Sequence, residues 1–166
     1  MEDRKTHWEN IYGTRKLTDV SWYQPKPEAS LNYIAEWGLR KNVHIIDVGG
    51  GDSFLVDFLL SEGYSNITVL DISEKALEKA KSRLGEKANL VTWIVTDAAS
   101  FRPNYKYDLW HDRAAFHFLT DETDISNYLK TLEDSINPGG YVILGTFSEK
   151  GPLKCSGIEI KQYSVE

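Results

Sequence analysis

The chain has 166 residues, 41% hydrophobic and 27% charged, which suits one domain with a single core rather than several. Its formal charge of −6 argues against a broad basic surface, so no nucleic-acid partner is expected. No apolar run reaches the length of a membrane span, and Met1-Glu2-Asp3-Arg4-Lys5 lacks the apolar centre of a signal peptide, so no membrane partner and a cytoplasmic location are expected.

The opening segment carries Trp8 and Tyr12 and then Trp22-Tyr23-Gln24-Pro25. Flat rings with polar tips suit either capping of a cofactor or stapling of an N-terminal helix onto a sheet. After Pro25 and Pro27, the apolar residues Leu31, Ile34 and Ala35 fall at helical spacing, which predicts a helix over residues 28–37, stopped by Gly38. The next stretch, Ile45-Ile46-Asp47-Val48-Gly49-Gly50-Gly51-Asp52-Ser53, reads as a buried strand, a glycine turn and a helix over residues 53–60. Glycines at such a turn admit positive φ and a ligand where a Cβ would block it. A dinucleotide fingerprint would place a third glycine at position 54, which is Phe54. The strand ends instead in an acid, Asp47, two residues before the first glycine.

Phe54, Leu55, Phe58 and Leu59 form the stripe of a helix packed on a sheet, and Gly63 ends it. A second strand over residues 67–71 ends in Asp71, close to the interval at which an acid ending the second strand holds ribose hydroxyls. The alternative is a loop acid beside the helix that Ser73 and Glu74 open. Residues 73–84 are rich in helix formers with a solvated charge pattern. A third strand over residues 90–95 precedes Thr96-Asp97-Ala98, and a fourth runs through Tyr107-Asp108-Leu109-Trp110-His111-Asp112-Arg113. Ile125, Leu129, Leu132 and Ile136 give a helix over residues 121–136, Asn137-Pro138-Gly139-Gly140 a turn, and residues 141–147 a fifth, apolar strand. Alternating strands and helices predict a parallel three-layer α/β sheet.

These motifs resemble the class I S-adenosylmethionine-dependent methyltransferases: the acid and glycine turn, acids at three successive strand ends, the fourth-strand motif and the Asn137-Pro138-Gly139-Gly140 turn. Trp110-His111-Asp112-Arg113-Ala114 with Phe116-His117-Phe118-Leu119, and the later Gly145-Thr146-Phe147-Ser148, resemble a small bacterial-type subgroup. The spacing of Trp8, Tyr12 and Trp22-Tyr23 also resembles protein-lysine methyltransferases. The resemblance implies a Rossmann-like methyltransferase fold with strand order 3-2-1-4-5. It implies one domain over residues 1–166, with a cap segment and helix at 1–40, a cofactor-binding core at 41–147 and a short C-terminal segment at 148–166.

It also implies S-adenosylmethionine as cofactor, contacted by Trp22, Asp47, Gly49, Gly50, Gly51, Ser53, Asp71, Ile72, Asp97, Ala98 and His111. Asp97 would accept from the adenine amino group beside the Ala98 N–H. His111, Asp112 and Arg113 are the catalytic candidates: His111 as a base at neutral pH, Asp112 and Arg113 as an ion pair shaping the site. The alternative makes Asp112 and Arg113 a structural pair and His117 a satisfied core histidine. Methyl transfer needs chiefly an aligned nucleophile, so a base is useful rather than obligatory. The spacing of His111, Asp112 and His117 matches no metal template, and no metal is expected. Cys155 is the one cysteine; it can close no internal disulfide and has no adjacent base, and reads as a packed or exposed free thiol.

The acceptor expected is a small molecule, with a protein lysine as the alternative. A binding protein without turnover and a nicotinamide-dependent oxidoreductase are the other readings. Few residues follow Phe147, so the family's C-terminal antiparallel hairpin is expected to be missing or truncated. The fifth strand would then be an open edge, which points to a shortened chain or a homodimer joined through that edge.

Overall fold

Strand β1 (His44–Val48) is buried on both faces, and its alternation divides the molecule into layers. Ile45 packs with Leu31 and Ile34 of helix α2 (Glu28–Glu36) and with Leu55 and Leu59 of helix α3 (Leu55–Ser61). Ile46 and Val48 face the other way, toward Trp110 and Tyr128. The computed structural model describes residues 3–113 and 115–164; Ala114, part of the fourth-strand motif, lies outside the described residues.

The sheet is completed by β2 (Asn66–Asp71), β3 (Val91–Val95), β4 (Tyr107–Arg113) and β5 (Ile136–Gly145) in the order β3-β2-β1-β4-β5. Every pairing is parallel. The chain builds outward from β1 to β3, then crosses back to lay β4 on the other side of β1. The crevice between β1 and β4 is therefore the switch point, where ligands of open α/β sheets bind beyond the strand ends. Helix α1 (Arg4–Thr14) precedes α2, α4 (Glu74–Leu84) follows β2, and α5 (Glu122–Ser135) covers the face of Ile46 and Trp110. Fully burying each such aliphatic side chain contributes about 1.5–3 kcal/mol. Among the described residues, no helix is long and apolar enough to cross a membrane.

Boundaries differ from the periodicity where side chains intervene. Helix α3 starts at Leu55 because Ser53 Oγ accepts the Leu55 N–H at 3.2 Å and holds residues 52–54 in the turn. Ser73 and Asp121 are the N-caps of α4 and α5, accepting from Ala76 and from Thr123 and Asp124. The Asn-Pro-Gly-Gly turn lies inside β5: Tyr107 pairs with Ile136 and Leu109 with Tyr141, so residues 137–140 bulge from the ladder. Asn137 Nδ2 anchors that bulge on Asp108 Oδ1 at 2.8 Å.

In the C-terminal segment the antiparallel hairpin is truncated, as expected. A short antiparallel hairpin exists, β6 (Lys154–Cys155) with β7 (Ile158–Glu159), but it stands apart from the main sheet. Each strand is two residues long, too short for a period to register in sequence. It packs on Trp8 and Phe118, and the chain then returns through Lys161 N–H to His117 O at 2.8 Å and Tyr163 N–H to Phe147 O at 2.9 Å. Among the described residues β5 is one edge of the sheet, opposite β3, with Val142 and Leu144 exposed.

Candidate active site

A cavity of about 360 Å³ opens at the carboxyl ends of the strands, within the usual range for small-ligand sites. Its walls come from four strand ends and a set of aromatic rings. Leu70, Asp71 and Ile72 come from the end of β2, and Thr96, Asp97 and Ala98 from the end of β3. Gly49 and Arg113 stand at the β1 and β4 ends, and Trp8, Tyr12, Trp22, Phe118 and Phe147 close it with rings.

The glycine turn has room for nothing larger. Gly49 and Gly51 have φ of 67° and 48°, angles that L side chains rarely adopt. A Cβ on Gly51 would lie 2.6 Å from Tyr12 Oη, and one on Gly49 would collide with Ala115. The Gly49 and Gly50 N–H groups both donate to Leu70 O, at 2.8 and 3.1 Å, tying the turn to β2. Outside the turn, Arg83 of α4 pairs with Asp52 and Asp57 and donates to the Ser53 carbonyl at 2.8 Å.

Asp71 is buried; Oδ1 accepts the Ser73 N–H at 2.8 Å and Oδ2 lies toward Gly51. Burial pushes its carboxyl up to about 7, only partly offset by the Ser73 hydrogen bond, and nearby Asp47 adds to the rise. Asp97 accepts the Ala99 N–H with Oδ1 at 2.9 Å and pairs through Oδ2 with Arg4 at 2.8 Å. Arg4 also binds Asp124, so α1 is fastened over the β3 end.

Six of the sequence candidates share this cavity: Trp22, Gly49, Asp71, Ile72, Asp97 and Ala98, with Arg113 joining them from the catalytic set. Gly50, Gly51 and Ser53 belong to the turn and Asp47 lies beneath it, and none of the four lines the cavity. The register places Asp47 beside His111, and the Asp47 Oδ1 to His111 Nδ1 distance is 2.7 Å. The other ring nitrogen of His111 meets Ser30 Oγ at 2.8 Å. His111 is buried with both nitrogens engaged, so it is not placed as a base at the cavity.

Asp112 is fully buried on the opposite face of β4, accepting Tyr128 Oη–H at 2.7 Å and the Ala115 and Phe116 N–H groups at 2.9 and 3.1 Å. It forms no pair with Arg113, because successive side chains of a strand point to opposite faces. Burial pushes the Asp112 carboxyl up to about 6 against the pull of those hydrogen bonds. His117 is buried between Phe118 and Phe147 with neither ring nitrogen bonded, and burial lowers its pKa to about 4. It is therefore not the satisfied core histidine of the structural reading.

Trp8, Tyr12 and Trp22 pack edge-on or tilted among themselves while lining the cavity. Cys155 also reaches the wall as a free thiol. Sequence reasoning missed Arg4, Arg83, Phe118 and Phe147. The composition of the N-terminal segment gave no signal for Arg4, whose partner Asp97 lies 93 positions away. Among the described residues, no group of three or more His, Cys, Asp or Glu side chains could hold a metal ion.

Residues 46–142 match the model of a methyltransferase domain. The chain is 35% identical over 114 residues to malonyl-[acyl-carrier protein] O-methyltransferase 1 of Ilyobacter polytropus, covering 68% of this chain and 41% of that protein. It is 25% identical over 158 residues to EEF1A lysine methyltransferase 2 of Danio rerio, covering 84% of this chain and 66% of that one. The crystal structure of a S-adenosylmethionine-dependent methyltransferase from Clostridium acetobutylicum shares the fold, with a TM-score of 0.66 at 20% identity, over 88% of this chain and 58% of that one.

Proposed function

Because the chain belongs to the class I S-adenosylmethionine-dependent methyltransferase family, we propose that it transfers the cofactor's methyl group to a small-molecule acceptor. The observation that carries the reading is the cavity itself, with two acids along its β2 and β3 wall and aromatic rings around the remainder. The residues present fit the cofactor: the buried carboxylate of Asp71 lines the cavity together with Gly49, which brings backbone without a side chain to the wall. When bound, S-adenosylmethionine supplies an electrophilic methyl on a sulfonium.

Each residue then has a physical task. Asp71 takes the ribose hydroxyls with charge-assisted hydrogen bonds. Asp97 and the Ala98 N–H face the base edge, and Arg4 holds the Asp97 carboxylate in position. Gly49 lets the backbone approach the methionyl portion. Trp8, Trp22, Phe118 and Phe147 exclude water and present flat apolar surface to the acceptor. With His111 and Asp112 held in the core, alignment and desolvation carry the catalysis rather than either of them as a base.

A protein lysine acceptor is the second reading, favoured by the likeness to the zebrafish lysine methyltransferase over most of this chain. Calorimetric titration with S-adenosylmethionine and with S-adenosylhomocysteine tests the proposal. Both should bind saturably, and Asp71→Ala should weaken both by roughly 10- to 100-fold, about 1.4 kcal/mol per factor of ten. Tight binding of NAD with no response to either sulfur ligand would overturn it.

A further inference from the structure

Two cations line the cavity, and they differ in how they are satisfied. Arg4 is neutralised by Asp97 and Asp124, at 2.8 and 2.7 Å. Arg113, from the last position of β4, pairs with no carboxylate among the described residues. Among the described residues its side chain makes one hydrogen bond, from Nη2 to the backbone carbonyl of Trp22, at 3.1 Å. Asp112 is committed to Tyr128 on the opposite face, and Asp47, near enough to favour the charged form of Arg113, is held by His111.

A guanidinium carries five N–H donors in a rigid fork that matches a carboxylate bidentately. Leaving most of them without a protein partner at a partly buried wall has a cost that a bound anion removes. Burial already lowers the pKa of Arg113, which is the signature of a cation short of counter-charge.

Its position assigns the anion. The sheet order puts Asp97 and Asp71 at the ends of β3 and β2, whereas Arg113 lies beyond β1 and leans over β5, where a Cβ on Gly145 would stand 3.2 Å from Arg113 Cγ. The acids and the unmatched cation thus end strands on opposite sides of β1, with Trp22, bonded to Arg113, and Phe147, just past β5, on the cationic side. The geometry points to Arg113 as the anchor for a carboxylate of the methyl acceptor, so that the acceptor class is a small acid with an apolar body. This rests on the methyltransferase reading above and narrows it.

The test uses the full chain loaded with S-adenosylhomocysteine, reading tryptophan fluorescence, since Trp8 and Trp22 line the cavity. Matched pairs are titrated: acetate and acetamide, benzoate and benzamide, cyclohexanecarboxylate and cyclohexanecarboxamide. At least one acid should bind saturably and tenfold or more tighter than its amide. Arg113→Gln should erase that preference while S-adenosylhomocysteine affinity stays within about twofold. Arg113→Lys, which keeps the charge and loses the fork, should retain part of the preference, and it serves if the glutamine variant does not fold. Equal affinity for acid and amide across all pairs, or no saturable acid, would overturn the proposal. So would a tenfold loss of S-adenosylhomocysteine affinity in Arg113→Gln with 5′-methylthioadenosine unaffected, because the fork would then serve the cofactor's own carboxylate. If the unmodified chain takes no S-adenosylhomocysteine, the methyltransferase reading has failed first, a result distinct from these.

Discussion

Ser30, His111 and Asp47 stand in a row, each buried, joined at 2.8 and 2.7 Å. The order of groups is that of a nucleophile, a base and an orienting acid, yet none of the three lines the cavity. The Asp47 carboxylate can only accept, so His111 donates to it through Nδ1–H, and Ser30 Oγ meets the other ring nitrogen. The row therefore positions Asp47 behind the glycine turn from helix α2. His111→Asn should lower the melting temperature and the affinity for S-adenosylhomocysteine together, by about 1–3 kcal/mol for the buried groups left unpaired. Thermal unfolding and calorimetry on one preparation check this; unchanged stability and binding with turnover alone reduced would restore His111 as a base. Sequence flagged His111 because a titratable group ends a strand. It could not show that register sets the ring against Asp47 rather than against ligand, since pairing is fixed only in three dimensions.

Elements carry a second kind of constraint at Asp112. Trp110 Nε1–H donates to Tyr128 Oη at 2.9 Å, Tyr128 Oη–H donates to Asp112, and Asp112 accepts the two N–H groups that open the turn Phe116–Phe118. Strand β4 and helix α5 are thus joined through the residue that shapes one cavity wall. Asp112→Asn should destabilise by about 1–3 kcal/mol, because the amide brings a donor to a hydroxyl that already donates there. Denaturant unfolding reads the loss, and Tyr128→Phe should show one of similar size, with at most a small further effect in the double variant. Helices α2 to α5 and the five sheet strands were legible because a 3.6-residue period and buried apolar runs survive in the sequence, whereas α1 carries no such period. The two-residue hairpin strands and the bulge at residues 137–140 were not, since local packing and side-chain anchors such as Asn137 to Asp108 set them.

Across the whole molecule, burial opposes charge at several groups, and the signs separate stability from binding. The folded-state values of Asp71, about 7, and Asp112, about 6, lie above the ordinary carboxylate value. Their contribution to stability is full below about pH 4 and is lost as pH rises through 6 to 7. His117, lowered to about 4, acts oppositely, its contribution being present above about 6.5 and lost as pH falls toward 4. Asp71→Asn should therefore raise the melting temperature of the unliganded chain by roughly 2–4 °C or more at pH 8 and change it little at pH 5. Cofactor affinity should run the other way, increasing from pH 6 to pH 8, because ribose hydroxyls bind the ionised carboxylate; melting curves and titrations at both pH values check the pair. The clamp of Arg83 on the outer side of the glycine turn has its own consequence. With the guanidinium fixed to Asp52, Asp57 and the Ser53 carbonyl and stacked 4.4 Å from the Phe54 ring, the turn gives up its conformational freedom when the chain folds. A ligand then meets a preorganised receptor, and association carries little of the entropic penalty that a loose glycine loop would impose.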